Sequence, residues 1–313
     1  MVRYMARRVA SGVFLLFSIS ILTFALMFGS TKNVASNLLG ESASQEQIAA
    51  LNHELGLDRP LTTQYLDWLR GALRGDLGKS WTSNVRIGEE LQRRLPVTLS
   101  IVVVSIALMT VLAALLGIAA AVRGGWLDRV IQVGSVVGFA MPNFWLALLL
   151  VIFFAINLRW LPATGYVSIT ASPQAWAASL VLPVLALAFS GIASASQQVR
   201  GAIIDALRQD YVRTLRARGV SRRSILFRHA LRNAMPAALT VLSVQFIALL
   251  GGAAIIERVF AIPGMGSLTV TSALGGDVPM LMGIVVTLVV LVILVNVAID
   301  VINAWVNPKV RIS

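Results

Sequence analysis

The 313-residue chain has no cysteine, only two histidines, and charge on just 13% of its residues. Without thiols there is no disulfide framework, no thiolate nucleophile and no Cys-ligated metal site. His53 and His229 are far apart in sequence, and the charge balance below places them on opposite sides of a membrane, so no metal site is expected. Acids are scarcer still, 14 against 26 Lys and Arg, giving a net charge of +12. A 57% apolar composition with mean hydropathy +0.81 leaves too few polar residues to cover a soluble domain. These shortages describe an integral membrane protein.

A span needs about 20 apolar residues, because the hydrocarbon core is roughly 30 Å thick and a helix rises about 1.5 Å per residue. Six charge-free runs qualify: 9–31, 97–122, 130–158, 176–199, 233–256 and 278–299. Arg3, Arg7 and Arg8 before the first run suggest a secretory signal, but the run is longer than a usual signal core and no clear A-x-A site follows it, so a retained anchor is expected. Six spans place both termini on one side. With the N-terminus inside, the segments 1–8, 123–129, 200–232 and 300–313 carry the whole net charge of +12, while 32–96, 159–175 and 257–277 sum to zero. That asymmetry is the positive-inside signature.

The outer region 32–96 carries helix signals of its own. Ser44 and Gln47 form a capping-box pattern, Ile48, Leu51 and Leu55 share one helical face, and Gly56 supplies a stop. Pro60 opens a second helix bearing Tyr65, Leu66, Leu69 and Leu73. A small helical cap and a docking site for an outside partner are both open at this point.

Two short motifs imitate known chemistry. Gly78-Lys79-Ser80 has the end of a phosphate-binding loop, but Leu73 stands where the first glycine belongs and the segment is expected outside, so no nucleotide site follows. Leu161-Pro162-Ala163-Thr164-Gly165 spells a cell-wall sorting signal, yet too many apolar runs follow it, and a Pro/Gly turn is the better reading.

Nine arginines between Arg200 and Arg232 face only Asp205 and Asp210. Burying nine in lipid would cost on the order of 20 to 30 kcal/mol, so the segment is outside the bilayer. Within it Ile203, Ile204, Leu207, Tyr211 and Leu215 recur at helical spacing, Gly219 can end that helix, and Ser221 can cap a second one carrying Ile225, Leu226, Phe227, Ala230 and Leu231. A basic helix pair of this kind can lie on anionic lipid, bind nucleic acid, or insert into a groove of a cytoplasmic protein. Tethering to a membrane and the lack of a base-reading pattern count against nucleic acid.

The stretch from Asp210 through Gly219 and Ser221 to Arg228-His229-Ala230-Leu231-Arg232-Asn233-Ala234-Met235-Pro236 resembles the coupling-loop motif of ABC importer permeases. It is most similar to that of the dipeptide/oligopeptide/nickel family. Arg213, Thr214 and Leu215 occupy the first three places of the general importer motif E-A-A-x-x-x-G, with Gly219 retained. Further matches run along the chain, among them Leu55-Gly56-Leu57-Asp58-Arg59-Pro60, Gly75-Asp76-Leu77-Gly78, Arg94-Leu95-Pro96 and Pro263-Gly264-Met265-Gly266. The long first outer region marks the B-type subunit. Two departures are visible: Phe28-Gly29-Ser30-Thr31 replaces the family's P-G-D-P, and Asn307 replaces the acid before the last proline.

The resemblance implies an all-α permease of six spans with the type I importer fold, in a bacterial inner membrane with both termini cytoplasmic. It implies a C-type permease partner, two cytoplasmic ATPases that hold the ATP and Mg, and an extracytoplasmic substrate-binding protein; this chain binds no cofactor. ATPase coupling is expected at Asp210, Arg213, Thr214, Leu215, Arg216, Ala217, Gly219, Ser221, Ile225, Arg228 and His229. Asn143, Gln245, Gly251, Gly252 and Asn296 are candidates for the translocation path, though hydrogen bonding or close packing between helices explains them as well. Asp58, Asp76, Lys79 and Glu257 are candidates for contact with the binding protein. Peptides are the expected substrate, with glutathione-type peptides and nickel or other metal chelates as alternatives. A self-contained secondary transporter would be expected to place ionisable residues within its spans, and the six runs have none.

Overall fold

The computed structural model describes residues 2–31, 34–40 and 43–306, so Lys32, Glu41, Asn307, Lys309 and Arg311 lie outside the described residues. The described residues contain no strand, only an isolated antiparallel bridge between Lys79 and Arg86. The helices are α1 (Val2–Thr31), α2 (Val34–Leu39), α3 (Gln45–Glu54), α4 (Leu61–Leu73), α5 (Ile87–Arg123), α6 (Gly125–Ala140) and α7 (Asn143–Leu150). After these come α8 (Pro173–Arg208), α9 (Asp210–Ala217), α10 (Arg222–Ser224), α11 (Leu231–Val259), α12 (Met265–Leu274) and α13 (Val278–Val306). Wider π-helical turns extend α7 over Val151–Asn157 and lead into α11 over Ile225–Ala230.

Among the described residues, five helices are long and apolar enough to cross a membrane, at Arg7–Met27, Ile87–Arg123, Pro173–Arg208, Ala238–Val259 and Val278–Asn303. The run 130–158, expected as one span, holds two helices meeting at 98°, a bent pair that counts as a sixth span when taken as one broken span. Pro142 causes the break. It forces Met141 out of the helical region, to ψ 123, and offers no N–H to continue the helical ladder. Pro96, Pro183 and Pro236, by contrast, lie inside α5, α8 and α11.

The chain divides into two compact units. Unit 1 comprises residues 1–98 and 263–294. Its core joins Ile87 and Leu91 of α5 to Met265 and Leu268 of α12 and Met280 and Ile284 of α13. Gly283 permits this approach, since a Cβ there would stand 2.5 Å from Ile87 Cγ2. The outer helices form as the local signals predict. Ser44 Oγ accepts from Gln47 N at 3.2 Å while Gln47 Oε1 accepts from Ser44 N at 2.9 Å, and Gly56, at φ +69, closes α3. Tyr65 of α4 hydrogen-bonds Ser20 of α1 at 2.8 Å and meets Phe24 edge-on at 5.5 Å, which pins the outer helices to α1.

Unit 2 comprises residues 99–262 and 295–313. α8 is its centre and packs against α6, α7 and α11. Its buried positions include Ala186, Ala188, Gly191, Ala193, Ala195 and Ser196, small residues that let neighbouring backbones come close where water supplies no driving force. At Gly117 of α5 an added Cβ would lie 2.8 Å from the Ser196 carbonyl. Met109, Ala113, Ala188 and Ala195 form one apolar cluster, and Ile203, Leu226 and Ala234 another.

Candidate functional site

The basic segment folds into a helical hairpin rooted in the second cluster. α8 ends at Arg208, and Gln209 turns extended (φ −65, ψ 150) before α9 starts. The apolar stripe from Ile203 to Leu215, expected as one helix, is therefore two. α9 closes through paired bonds: Gly219 N donates to Arg216 O at 3.0 Å and Val220 N to Leu215 O at 3.1 Å. Gly219 sits between them at φ +76, the left-handed conformation this closure demands. Ser221 then caps the next turn, its Oγ accepting from Ser224 N at 3.3 Å.

The hairpin has two faces. Ile203, Ala206, Val212, Ile225, Leu226 and Ala230 are buried. Asp210, Arg213, Thr214, Arg216, Ala217, Gly219, Ser221 and Arg228 are exposed, and Leu215 and His229 are half-buried. Ile225, expected among the coupling residues, is buried and anchors the hairpin. Val212, absent from that set, makes the anchor on α9; its neighbours Tyr211 and Leu215 fit the periodic stripe better, which hid it. The Arg213–Asp210 pair spans 3.7 Å and is fully solvated, and a pair of that kind adds about 0 to 1 kcal/mol.

One arginine of the island has an internal role. Arg200 on α8 grips Asp128 on α6 bidentately, Nε to Oδ1 at 2.5 Å and Nη2 to Oδ2 at 2.6 Å. Hydrogen bonding from Arg200 is the main cause that lowers the Asp128 pKa below the usual carboxylate range, with Gln132 adding a further bond. Because the folded pKa is depressed, the contribution of this pair is present above the ordinary carboxylate pKa of about 4 and is lost as pH falls through the lowered value. Thermal unfolding followed across that acid window should show a decline that Asp128→Asn flattens. An unchanged profile in that variant would remove the pair from the stability of unit 2.

The path candidates all fall in unit 2. Asn296 on α13 accepts a short hydrogen bond from Ser243 on α11, so its role includes joining two helices. A Cβ on Gly252 would lie 3.1 Å from Leu187 and 3.8 Å from Asn143 Nδ2, and one on Gly191 3.7 Å from Gln245 Oε1. Asn143 and Gln245 thus both lie beside close helix crossings on glycine, while Gly251 is exposed with open space at its Cβ position.

Among the outer candidates, Asp58 and Lys79 are exposed. Asp76 is also exposed, but its carboxylate accepts from Gly78 N at 2.9 Å and shapes a turn. Glu257 is fully buried and so is not presented to an outside protein. Gly78-Lys79-Ser80 forms one side of a tight hairpin, closed by Ser80 N to Val85 O at 3.0 Å and Ile87 N to Gly78 O at 3.1 Å, not a phosphate cradle. Gly165 of the sorting-signal lookalike, at φ +95, donates to Phe260 O at 2.8 Å and ties this loop to the C-terminal end of α11.

Asp277, which sequence reasoning used only as an outer charge, is the most connected side chain of unit 1. It is fully buried. Its carboxylate accepts from Ser80 Oγ, Trp81 N, Thr82 N, Thr82 Oγ1 and, at the start of α13, Met280 N. Gly275-Gly276-Asp277 before Pro279 is a legible helix-start signal; the tether to Ser80–Thr82 is not.

Two family models cover nearly all of the chain: the binding-protein-dependent transport system inner membrane component over residues 113–312, and its N-terminal counterpart over residues 1–102. A Brucella abortus (strain 2308) chain, named provisionally as a peptide transport system permease, is 36% identical over 306 residues, covering 97% of this chain and 98% of the relative. The oligopeptide transport system permease protein AppB of Bacillus subtilis (strain 168) is 33% identical and covers 99% and 100%. The glutathione transport system permease protein GsiC of Escherichia coli O6:H1 is 33% identical and covers 99% of each. An inward-facing structure of the MetNI methionine ABC transporter aligns with TM-score 0.58 at 21% identity, over 69% of this chain and 96% of that one, and so supports the type I importer permease fold. The chain belongs to the inner membrane components of binding-protein-dependent transport systems, the non-catalytic permease subunits of ABC importers.

Proposed function

We propose that this chain is one of two permeases in an ATP-driven peptide importer, and that the exposed face of the hairpin takes the stroke of cytoplasmic ATPases. The observation that carries this is mechanical. Val212, Ile225 and Leu226 root the hairpin in the core of unit 2, while Asp210, Arg213, Thr214, Ala217 and Gly219 stand free on the other face. A force on α9 is passed into the bundle, because a packed core is bistable and does not deform continuously. Spans joined to the hairpin then exchange inward for outward access. The oligopeptide and glutathione permeases named above favour a peptide substrate, and the charge balance favours cytoplasmic termini.

Affinity purification of the tagged chain from its native membrane tests the assignment. A second permease and ATPases should co-purify in fixed ratio, and the reconstituted complex should hydrolyse ATP faster with a peptide-loaded binding protein. A chain that purifies alone and transports peptide without ATP would overturn the reading.

A further inference from the structure

Of the nine arginines in the basic segment, Arg200 serves Asp128 and Arg213 faces Asp210. Three others converge on one cavity. Arg216 from the end of α9, with Arg222 and Arg223 from α10, line a space of about 490 Å³. No ion pair reaches these three among the described residues. Three arginines lining one cavity without an acid make it favourable to an anion.

The rest of the lining is apolar: Ala121 and Val122 from the last turn of α5, Leu207 from the last turn of α8, and the buried Ile225 and Leu226. α5 and α8 are both long and apolar enough to cross a membrane, and the cavity lies at the C-terminal ends of these two helices. An inorganic anion would satisfy the guanidiniums but leave this apolar lining wet. A lipid headgroup satisfies both halves, with its phosphate on the arginines and its glycerol and first methylenes against Val122, Leu207 and Leu226.

We propose that this cavity is a binding site for one anionic phospholipid of the cytoplasmic leaflet, with Arg216, Arg222 and Arg223 as its phosphate ligands. The lipid fills the space between two span ends and the hairpin, which stiffens the hairpin's root. The site borders the exposed face of the hairpin at Arg216 and does not depend on which substrate the importer carries.

The test uses the intact transporter complex, stripped of lipid in mild detergent and titrated with phosphatidylglycerol or phosphatidylcholine while bound lipid is read by native mass spectrometry. Phosphatidylglycerol should be retained selectively. Arg222→Gln/Arg223→Gln should weaken it about 30-fold, the loss expected for two near-surface arginines. Arg222→Lys/Arg223→Lys should keep most of the binding and so separates loss of charge from misfolding. Arg208→Gln, an exposed arginine outside the cavity, should bind as wild type. Equal retention of phosphatidylcholine, or unchanged affinity in the double Gln variant, overturns the proposal. Full displacement by inorganic phosphate would reduce the cavity to a free-anion site. Retention only after the ATPases are removed would assign it to an acidic protein segment.

Discussion

Replacing Gly219 with valine should leave membrane insertion and ATP hydrolysis in place while binding-protein-dependent uptake falls on the order of tenfold or more. The effect starts at one dihedral angle. Gly219 lies at φ +76, and the two closing bonds of α9 flank it. For an L-residue the left-handed region costs about 1 to 2 kcal/mol, and a β-branched side chain is among the worst placed there. About 1.4 kcal/mol is a factor of ten in the population of the closed turn. Space is not the obstacle, because a Cβ at this position meets nothing within 4 Å. Asparagine, which tolerates the left-handed region, should therefore recover most of the uptake where valine and alanine do not. Comparing the three in proteoliposomes, with ATP hydrolysis and peptide uptake measured on one preparation, isolates backbone conformation from side-chain bulk. Uptake by the valine variant equal to wild type would show that a rigid turn is not needed for coupling.

The features legible in the sequence are those whose cause lies within a few residues. Ser44 and Gln47 read as a capping box because the partners are three positions apart, and Gly56, Gly219 and Ser221 announce helix ends by the same short-range logic. The apolar runs announce the membrane for an equally simple reason: hydropathy averages over a window. Averaging also conceals direction. The run 130–158 stays apolar through Pro142 while the helix axis turns by 98°. Periodicity has the same limit, since the Ile203–Leu215 stripe continues across a break at Gln209, a residue with no breaker chemistry of its own. Contacts between distant residues are hidden altogether. Arg200 and Asp128 are 72 residues apart, and Asp277 and Ser80 are 197 apart. Counting charges by segment treats Glu257 and Asp277 only as outer charges, with no sense of burial, and both are fully buried.

Asp277→Ala should lower the stability of unit 1 by about 2 to 4 kcal/mol, the sum of one unpaired buried donor and a lost helix cap. Five donors converge on this carboxylate, three backbone N–H groups and two hydroxyls; the carboxylate itself is fully buried, while Trp81 is half-buried and Thr82 exposed. The hydroxyls of Ser80 and Thr82 can rotate to other acceptors, since they already lie 3.2 Å apart and Ser83 Oγ donates to Ser80 Oγ at 2.8 Å. The backbone N–H of half-buried Trp81 has no such freedom, and a buried donor left unpaired costs about 1 to 3 kcal/mol, whereas the N–H of exposed Thr82 can turn to water. Losing the cap at the start of α13 adds about 1 kcal/mol. Asp277→Asn should be milder yet still destabilising, because the amide keeps one acceptor but aims an NH2 group at the donors that the second oxygen held. The consequence is local before it is global. Ser80–Thr82 is held to the end of α13 by this carboxylate, so its removal should free the segment between α4 and α5 for proteolytic cleavage near Lys79 and Arg86. Limited trypsinolysis of the intact complex, compared between wild type and Asp277→Ala, reads that opening directly. Cleavage at the same rate in both would show that the tether is redundant with the core packing of Ile87 and Leu91 against α13.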